Sequence, residues 1–186
     1  MKLIILDRDG VINHDRSDFV KSADEWIPIE GSMDAIAFLT QAGYTLAVAT
    51  NQSGIGRKLF TVQALNEMHG KMHRLVRQAG GEISGIWFCP HLPGQHCRCR
   101  KPESGMIEDI LARFSAEAAD TWLVGDSLRD LQAVAAVGGR PALVRTGKGE
   151  KTLAEQHSLL PEGTQIFDSL LAFSQYIIRT EKEKAA

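Results

Sequence analysis

Short apolar runs alternate along this chain with longer stretches in which apolar residues recur at helical spacing. The short runs are the pattern of buried strands, and they predict strands at 3–6, 46–49, 86–88, 122–124 and 142–144. The longer stretches predict helices at 32–41, 61–79, 105–114 and 127–137. The second of these helices carries an apolar stripe that we interpret as core.

Strands that alternate with helices of this length are joined by right-handed crossovers into a parallel, doubly wound sheet. We therefore predict an α/β, Rossmann-like fold. The length of 186 residues suits one domain, since domains commonly hold roughly 100–200 residues. We expect residues 1–178 to form this domain and residues 179–186 to form a charged C-terminal tail with a frayed helix end.

Polar residues follow four of the predicted strands. In a doubly wound sheet the functional crevice lies beyond the carboxyl ends of the strands. The residues expected to meet at this edge are Asp7, Asp9, Thr50, Asn51, Cys89 and Asp126.

Asp7 and Asp9 are two positions apart in the stretch "LDRDG". Two carboxylates this close do not both stay anionic without a cation or a shared proton. A divalent, oxygen-seeking metal ion such as Mg²⁺ resolves that conflict. Taken alone, the pair also fits a solvated turn.

Three further stretches add the chemistry of phosphate binding. "VATNQSG" provides hydroxyl and amide donors at Thr50, Asn51 and Ser53. "CRKP" provides a fixed cation at Lys101, which is suited to balancing the charge of a transferring phosphoryl group. "GDSLRD" ends a strand in the carboxylate of Asp126.

As a set, the motifs "DRDGV", "ATN", "RKP" and "GDSLRD" resemble those of the haloacid dehalogenase superfamily of phosphatases, over nearly the whole chain. The resemblance implies that Asp7 attacks phosphorus to form a covalent aspartyl-phosphate. It implies that Asp9 protonates the leaving alcohol and then takes a proton from the hydrolytic water. It also implies Mg²⁺ held by the carboxylate of Asp7, the backbone carbonyl of Asp9 and Asp126, with Thr50 and Lys101 around the phosphoryl oxygens.

The spacing of these motifs leaves little room for a second domain. About forty residues separate the first two motifs and about fifty separate Thr50 from Lys101, too few for a typical extra domain. We expect a haloacid dehalogenase-like fold with no separate cap domain, gated by loops that include residues 13–29. The role of Asp130 stays open: it orients Lys101 or the metal shell, or it lies near a helix start.

The stretch "CPHLPGQHCRC" contains all three cysteines. Cys89 and His91 are two positions apart, and so are Cys97 and Cys99. Three thiolates and one imidazole satisfy tetrahedral zinc and leave no open position for catalysis, so we predict a structural zinc site. His96 in place of His91 and a redox dithiol are the alternatives.

The chain resembles the D-glycero-D-manno-heptose-1,7-bisphosphate 7-phosphatases and the related histidinol-phosphate phosphatases. The resemblance rests on this zinc loop (residues 89–99) and on the motifs "DRDGVIN", "TNQSGI" and "VGDSLRDLQAV". The resemblance implies removal of the 7-phosphate in the synthesis of ADP- or GDP-heptose precursors for lipopolysaccharide. The alternative substrates are histidinol phosphate, a nucleic-acid 3′-phosphate or another small phosphomonoester. The alternative functions are phosphotransfer to a second sugar alcohol and a non-catalytic zinc-binding adaptor. The resemblance also implies substrate contacts from Asn13, Asp15, Arg16, Ser17, Asp18, Asn51, Gln52, Ser53 and Arg100.

One departure from that family's pattern is the short "LPGQ" segment of the zinc loop. A shorter segment is expected to reshape the rim of the pocket. The preference between the α and β anomers therefore stays open.

The composition restricts the partners. The chain has 21 Lys and Arg against 23 Asp and Glu, a formal charge of −2, which argues against a nucleic-acid binder and favours a small-molecule sugar phosphate. The amino terminus reaches Asp7 too soon for a signal peptide, and no apolar run approaches the roughly 20 residues of a membrane span. Reduced, metal-binding thiols fit the cytoplasm. We expect a monomer.

Three other features are given structural interpretations. "HGKMH" (residues 69–73) lacks the glutamate of a zinc-protease motif and is interpreted as surface histidines on a helix. "GKGEKT" (residues 147–152) does not fit a phosphate-binding loop and is interpreted as a flexible basic loop. Trp26 is assigned to packing.

Overall fold

The computed structural model describes residues 1–185. The centre of the fold is a parallel sheet of six strands. The strand order across the sheet is β3-β2-β1-β4-β5-β6, and each neighbouring pair is parallel. The strands are β1 (Leu3–Leu6), β2 (Thr45–Asn51), β3 (Gly85–Cys89), β4 (Trp122–Gly125), β5 (Arg140–Val144) and β6 (Gln165–Phe167).

Helices cover both faces of this sheet. They are α1 (Ser32–Gln41), α2 (Ser53–Gly56), α3 (Val62–Gln78), α4 (Gly105–Phe114), α5 (Leu128–Ala135), α6 (Gly149–Gln156) and α7 (Leu170–Ala185). Two short 3₁₀ helices lie at Ala118–Asp120 and His157–Leu159.

Alternate residues of β1 supply two separate cores. Ile4 and Leu6 join the core cluster that α1, α3 and α7 cover, whereas Leu3 and Ile5 join the cluster that α4 and α5 cover. Successive side chains of a strand point to opposite faces, so an apolar strand such as β1 requires helices on both. The predicted doubly wound α/β sheet is confirmed.

All five predicted strands and all four predicted helices are present, with ends that differ by at most two residues. The elements that the hydrophobic pattern missed are α2, α6, β6, α7 and the two short 3₁₀ helices. The three-residue strand β6 is an edge strand whose middle residue, Ile166, is exposed, which gives no apolar run. The helix α7 depends on tertiary contacts, among them the ring of Phe173 against Trp122.

The C-terminal residues predicted as a tail continue this last helix. Helix α7 extends to Ala185, and an exposed ion pair joins Lys2 to Glu181 at 2.6 Å. Residue 186 of the predicted tail lies outside the described residues.

Two other interpretations are wrong. Residues 149–156 form helix α6 rather than a flexible loop, because this segment is anchored by the hydroxyl of Thr152, which donates to the backbone carbonyl of Asp126 at 3.0 Å. His69 is buried on α3 rather than at the surface, whereas His73 is partly exposed.

The packing role of Trp26 is confirmed by its complete burial. Among the described helices, none is long and apolar enough to cross a membrane.

Candidate active site

A pocket of about 340 Å³ lies at the carboxyl ends of the central strands. Twelve of the fourteen residues predicted to bind Mg²⁺ or substrate line it: Asp7, Asp9, Asp15, Arg16, Ser17, Thr50, Asn51, Gln52, Ser53, Arg100, Lys101 and Asp126. The two that do not line it are Asn13, which is fully buried behind Asp9, and Asp18.

Asp7 continues β1 directly into the pocket. Its backbone N–H donates to the carbonyl of Val124 at 2.9 Å, so the pairing of β1 with β4 extends to this residue. The same pairing brings Asp7 close to Asp126, which follows the end of β4. The carboxylate oxygens of Asp7, Asp126 and Asp130 lie within 4.8 Å of one another.

Lys101 is the buried cation of this acidic centre. Its Nζ lies 2.9 Å from Oδ1 of Asp7, 2.6 Å from Oδ1 of Asp130 and 2.6 Å from the backbone carbonyl of Ala49. Burial disfavours the charged amine, but the charges of Asp130 and Asp7 outweigh burial and raise the pKa of Lys101. The ammonium group therefore stays charged and fixed beside Asp7.

Asp130 has both of the roles that the sequence left open, since it contacts Lys101 and lies at the start of a helix. Its Oδ1 pairs with Lys101, and its Oδ2 accepts hydrogen bonds from the backbone N–H and the hydroxyl of Ser127, which closes a capping box at the start of α5. One carboxylate therefore orients the lysine and starts the helix.

The carboxylate of Asp9 accepts hydrogen bonds from three side chains. Its carboxylate accepts from the Arg8 guanidinium at 2.9 and 3.1 Å, from Nδ2 of Asn13 at 2.9 Å and from Nε2 of Gln52 at 2.8 Å. Burial raises the pKa of Asp9, but the charge of Arg8 and these hydrogen bonds outweigh it and hold the pKa below its ordinary value. The carboxylate is both ionised and fixed in orientation.

Arg8 is itself fully buried between Asp9 and helix α3. Its Nη1 lies 3.3 Å from Nε2 of His69, which faces it as an acceptor. Burial and the Arg8 charge lower the pKa of His69 to about 3, so this imidazole is neutral at pH 7. The histidine that the sequence assigned to the surface therefore supports the acidic motif from behind.

Asp7 and Asp126 show the electrostatics of a cation site. Burial and then the charge of Asp130 raise the pKa of Asp7 to about 6, against the opposing effect of Lys101. Burial and then the charges of Asp7 and Asp130 raise the pKa of Asp126. Buried carboxylates that repel one another in this way are relieved by a divalent cation with oxygen ligands. The donor set therefore fits Mg²⁺.

The end of β2 ties the phosphate-binding donors to Lys101. The side chain of Asn51 donates to the backbone carbonyl of Lys101 at 3.0 Å and accepts from its N–H at 3.1 Å. Gln52 donates to Oγ1 of Thr50 at 2.8 Å. Asn51 thus positions the lysine, while Thr50 faces the pocket beside Asp7.

A loop that sequence reasoning missed closes the site after β5. The backbone N–H of Lys148 donates to Oδ2 of Asp126 at 2.8 Å, and its Nζ pairs with Asp15 at 2.7 Å. Gly147 packs against Gly10, where an added Cβ would lie 2.4 Å from the Gly10 Cα. The loop therefore requires glycine at both positions of contact, and it sets the orientation of Asp126.

Loop 13–29 is ordered by its own ion pairs. The guanidinium of Arg16 pairs with Asp18 at 2.9 Å, and Lys21 also pairs with Asp18 at 2.9 Å. Asp18 is therefore engaged with its neighbours outside the pocket wall, whereas Ser17 and Arg16 line the pocket.

The four predicted zinc ligands converge at the end of β3. The Nδ1 atom of His91 lies 3.3 Å from Sγ of Cys89 and 3.2 Å from Sγ of Cys99, and the sulfurs of Cys89 and Cys97 are 3.8 Å apart. Tetrahedral zinc has bonds of about 2.3 Å to sulfur and about 2.0 Å to nitrogen, which space the ligand atoms about 3.5–3.8 Å apart. The ligand atoms here lie at or slightly inside that spacing. His96 is exposed and outside the cluster. The set Cys89, His91, Cys97 and Cys99 therefore fits a closed four-ligand metal site.

Among the lining residues that were not predicted to belong to the site are Phe19, Arg57 and Arg129. The guanidinium of Arg57 lies over the ring of Phe19 at 5.8 Å, and Phe19 has a φ of 70°. A left-handed backbone is uncommon for an aromatic residue, and such conformations cluster at functional sites.

The class of protein follows from this fold and site together. Two family models match the chain, HAD-hydrolase-like over residues 98–173 and polynucleotide kinase 3 phosphatase over residues 2–135. A crystal structure of D,D-heptose 1,7-bisphosphate phosphatase from B. bronchiseptica, complexed with magnesium and phosphate, is similar with a TM-score of 0.94 and 53% identity, and the similarity covers 97% of this chain and 99% of that one. The fold and its acidic centre define a haloacid dehalogenase-like hydrolase, and the described residues contain no separate cap domain.

Relatives with curated names identify the family within this class of hydrolases. A protein from Neisseria meningitidis serogroup A, named D-glycero-beta-D-manno-heptose-1,7-bisphosphate 7-phosphatase, is 76% identical over 179 residues, or 96% of each chain. A protein of the same name from Pseudomonas putida is 50% identical and covers 96% of this chain and 100% of its own length. The chain therefore belongs to the D-glycero-beta-D-manno-heptose-1,7-bisphosphate 7-phosphatase family.

Proposed function

We propose that this protein hydrolyses the 7-phosphate of D-glycero-beta-D-manno-heptose 1,7-bisphosphate. The observation that carries the proposal is the convergence of Asp7, Asp9, Lys101 and Asp126 on one pocket. The names of the relatives supply the substrate and the β anomer. The reaction would serve the synthesis of heptose precursors for lipopolysaccharide.

Asp7 acts as the nucleophile in this proposal. One oxygen of its carboxylate attacks the phosphorus of the 7-phosphate, and the bond from phosphorus to the C7 oxygen breaks. Lys101, fixed by Asp130, balances the negative charge of the phosphoryl oxygens, and the hydroxyl of Thr50 donates to one of them. The product of this half-reaction is an aspartyl-phosphate.

Asp9 handles the proton in both half-reactions. It protonates the departing C7 oxygen, and it later accepts a proton from the water that attacks phosphorus and breaks the bond to Asp7. In the resting site its carboxyl is ionised, but a phosphate beside it is a like charge, which raises a carboxyl pKa. The donors Arg8, Asn13 and Gln52 keep its orientation through both steps.

We assign Mg²⁺ to the carboxylate of Asp7, the backbone carbonyl of Asp9 and Asp126. When bound, the cation supplies positive charge that neutralises the phosphate and relieves the repulsion between the two carboxylates. Asp130 is assigned to Lys101 instead, because its two oxygens are already engaged by that lysine and by Ser127.

We assign zinc to Cys89, His91, Cys97 and Cys99 as a structural ion. The bound zinc orders the loop that immediately precedes Lys101. Pro93 of the same loop lines the pocket, so the loop also forms part of the rim on which the anomer preference depends.

The cellular location, the size of the substrate and the oligomeric state of the enzyme are also part of the proposal. Thiol ligands stay available in a reducing compartment, which supports a cytoplasmic location. The substrate is a small sugar phosphate. We propose a monomer, since all the residues assigned to the site belong to one chain.

The experiment that tests this function compares phosphate release from the β and α anomers of heptose 1,7-bisphosphate. Histidinol phosphate, fructose 1,6-bisphosphate and a 3′-phosphorylated oligonucleotide serve as competing substrates, the last because of the polynucleotide kinase 3 phosphatase match. We expect the highest kcat/KM for the β anomer. A higher value for histidinol phosphate or the oligonucleotide contradicts the substrate while leaving the chemistry in place.

A further inference from the structure

Six cationic side chains line the pocket, and they fall into two groups. The three that pair with carboxylates at 2.6–2.9 Å are Arg16, Lys101 and Lys148. The three that pair with no carboxylate in the described part of the chain are Arg57, Arg100 and Arg129. We call the second group the arginine triad.

The arginine triad concentrates positive charge at the outer part of the pocket. Arg57 is exposed and Arg100 and Arg129 are partly exposed, whereas Lys101 is buried at the bottom of the pocket. Three guanidinium groups that line one pocket without a carboxylate partner are the arrangement that a multiply charged anion neutralises.

Local structure holds two of these guanidinium groups in place. Nη1 of Arg100 donates to the backbone carbonyl of His91 at 3.2 Å, so the candidate zinc site sets its direction. Arg57 lies over the ring of Phe19, which lines the same pocket and has a left-handed backbone. A guanidinium over an aromatic face is partly ordered before any ligand arrives.

We infer that the arginine triad binds the phosphate of the substrate that is not hydrolysed, with Arg57 and Arg129 as specificity-determining residues. The inference rests on the proposed function, because only a bisphosphate brings a second phosphate. With the 7-phosphate beside Lys101 at the bottom of the pocket, the 1-phosphate at the other end of the sugar faces the rim. Planar guanidinium groups suit phosphate oxygens better than a lysine does.

The test compares kcat/KM for heptose 1,7-bisphosphate with kcat/KM for heptose 7-phosphate, which lacks the second phosphate. The variants are Arg57→Gln and Arg129→Gln, and Arg77→Gln, an exposed arginine on α3 outside the pocket, is the matched control. We expect the bisphosphate-to-monophosphate ratio to fall about tenfold in each pocket variant, as for the loss of one charge-assisted hydrogen bond. Arg57→Lys should restore part of the ratio, and the control should match the parent.

An unchanged ratio in both Arg57→Gln and Arg129→Gln overturns this inference. The proposed function still stands in that case if the parent hydrolyses the bisphosphate. A parent that hydrolyses neither sugar phosphate overturns the function and the inference together. A ratio that falls equally in Arg77→Gln shows a general charge effect and also overturns the assignment of these two residues.

Discussion

At the level of single residues, the buried ammonium group of Lys101 serves three acceptors at once. Two of them are the carboxylates of Asp7 and Asp130. Removing the lysine leaves Asp130 as an unpaired buried charge and also removes the cation beside the nucleophile. Stability and catalysis are therefore both affected, and they have to be separated.

For Lys101→Met we expect kcat to fall by about 100-fold to 1000-fold, as for loss of a fixed charge at a reacting centre. We also expect a loss of about 3 kcal/mol in the free energy of unfolding, because a buried ion pair is broken on one side. The measurements are steady-state kinetics and urea unfolding. In Lys101→Met/Asp130→Asn the stability should recover in part while the activity stays low. Recovery of activity in that double variant contradicts the role given to Lys101.

His69 provides a prediction about pH and stability. In the folded state the pKa of His69 is about 3, whereas the unfolded chain binds a proton near the ordinary value of 6.5. Because the unfolded state then holds more protons, stability falls as the pH drops below about 6.5. Between pH 7 and pH 5 this residue should account for a loss of about 2 kcal/mol.

Urea unfolding of the parent and of His69→Gln at both pH values checks this. The difference between the two proteins isolates the histidine from the carboxylates that titrate in the same range. We expect the parent to lose more stability than the variant on acidification. Equal losses contradict the account of a buried, neutral His69.

At the level of elements, the zinc loop connects β3 to the motif that contains Lys101. The parent purified without chelator should contain one zinc per chain. Cys97→Ser should lose that zinc and at least about tenfold in activity, since the loop that orients Arg100 and Lys101 loses its metal. Metal analysis and kinetics provide the measurements. His96→Ala is the control and should keep its zinc, and loss of zinc from it reverses the choice of His91.

The loop after β5 offers a second test at this scale. At Gly147 an added Cβ would lie 2.3 Å from Oδ2 of Asp126, and the φ of 58° also disfavours a side chain. Gly163 has a φ of 79° with nothing within 4 Å of an added Cβ, so Gly163→Ala is a matched control for backbone strain alone. We expect Gly163→Ala to cost about 1 kcal/mol with full activity.

For Gly147→Ala we expect a loss of about 2 kcal/mol or more in the free energy of unfolding and a large fall in kcat, because the carboxylate of Asp126 has to move. Unfolding and kinetics of the two alanine variants make the comparison. Equal activity in both contradicts the role of this loop in positioning Asp126.

At the level of the whole molecule, the strands end at one edge, and the segments that follow β1 to β5 complete the pocket. Five of the six strands were predicted from the hydrophobic pattern, and part of the pocket lining was predicted because side chains with distinctive chemistry follow the strands. Five other lining residues were expected only from the family resemblance: Asp15, Arg16, Ser17, Gln52 and Arg100. Lys148 was missed because it holds Asp126 through a backbone N–H, which nearly every residue has. Arg57 was missed because a single arginine in a polar stretch has the pattern of an ordinary surface residue. Arg129 was missed although it lies inside "GDSLRD", because only the carboxylates of that motif were given roles.

His69 shows a different limit of sequence reasoning. It lies one helical turn from Leu65 and Met72, on the buried stripe of α3, so the spacing indicated burial but the polar side chain masked it. The position of Arg8 in three dimensions provides the polar partner of the buried imidazole. The helix α6 was missed for a related reason, since it is anchored by contacts with residues far away in the chain. Long-range partners of this kind leave no periodic signal.

The central claim is that the carboxylate of Asp7 becomes esterified to phosphorus during turnover. The most direct measurement is to quench the enzyme with borohydride during hydrolysis of heptose 1,7-bisphosphate, which reduces an aspartyl-phosphate to homoserine, and to locate the change by peptide mass spectrometry. The account predicts homoserine at position 7 only when substrate is present. Continued turnover with unmodified Asp7, or with homoserine at another position, contradicts it.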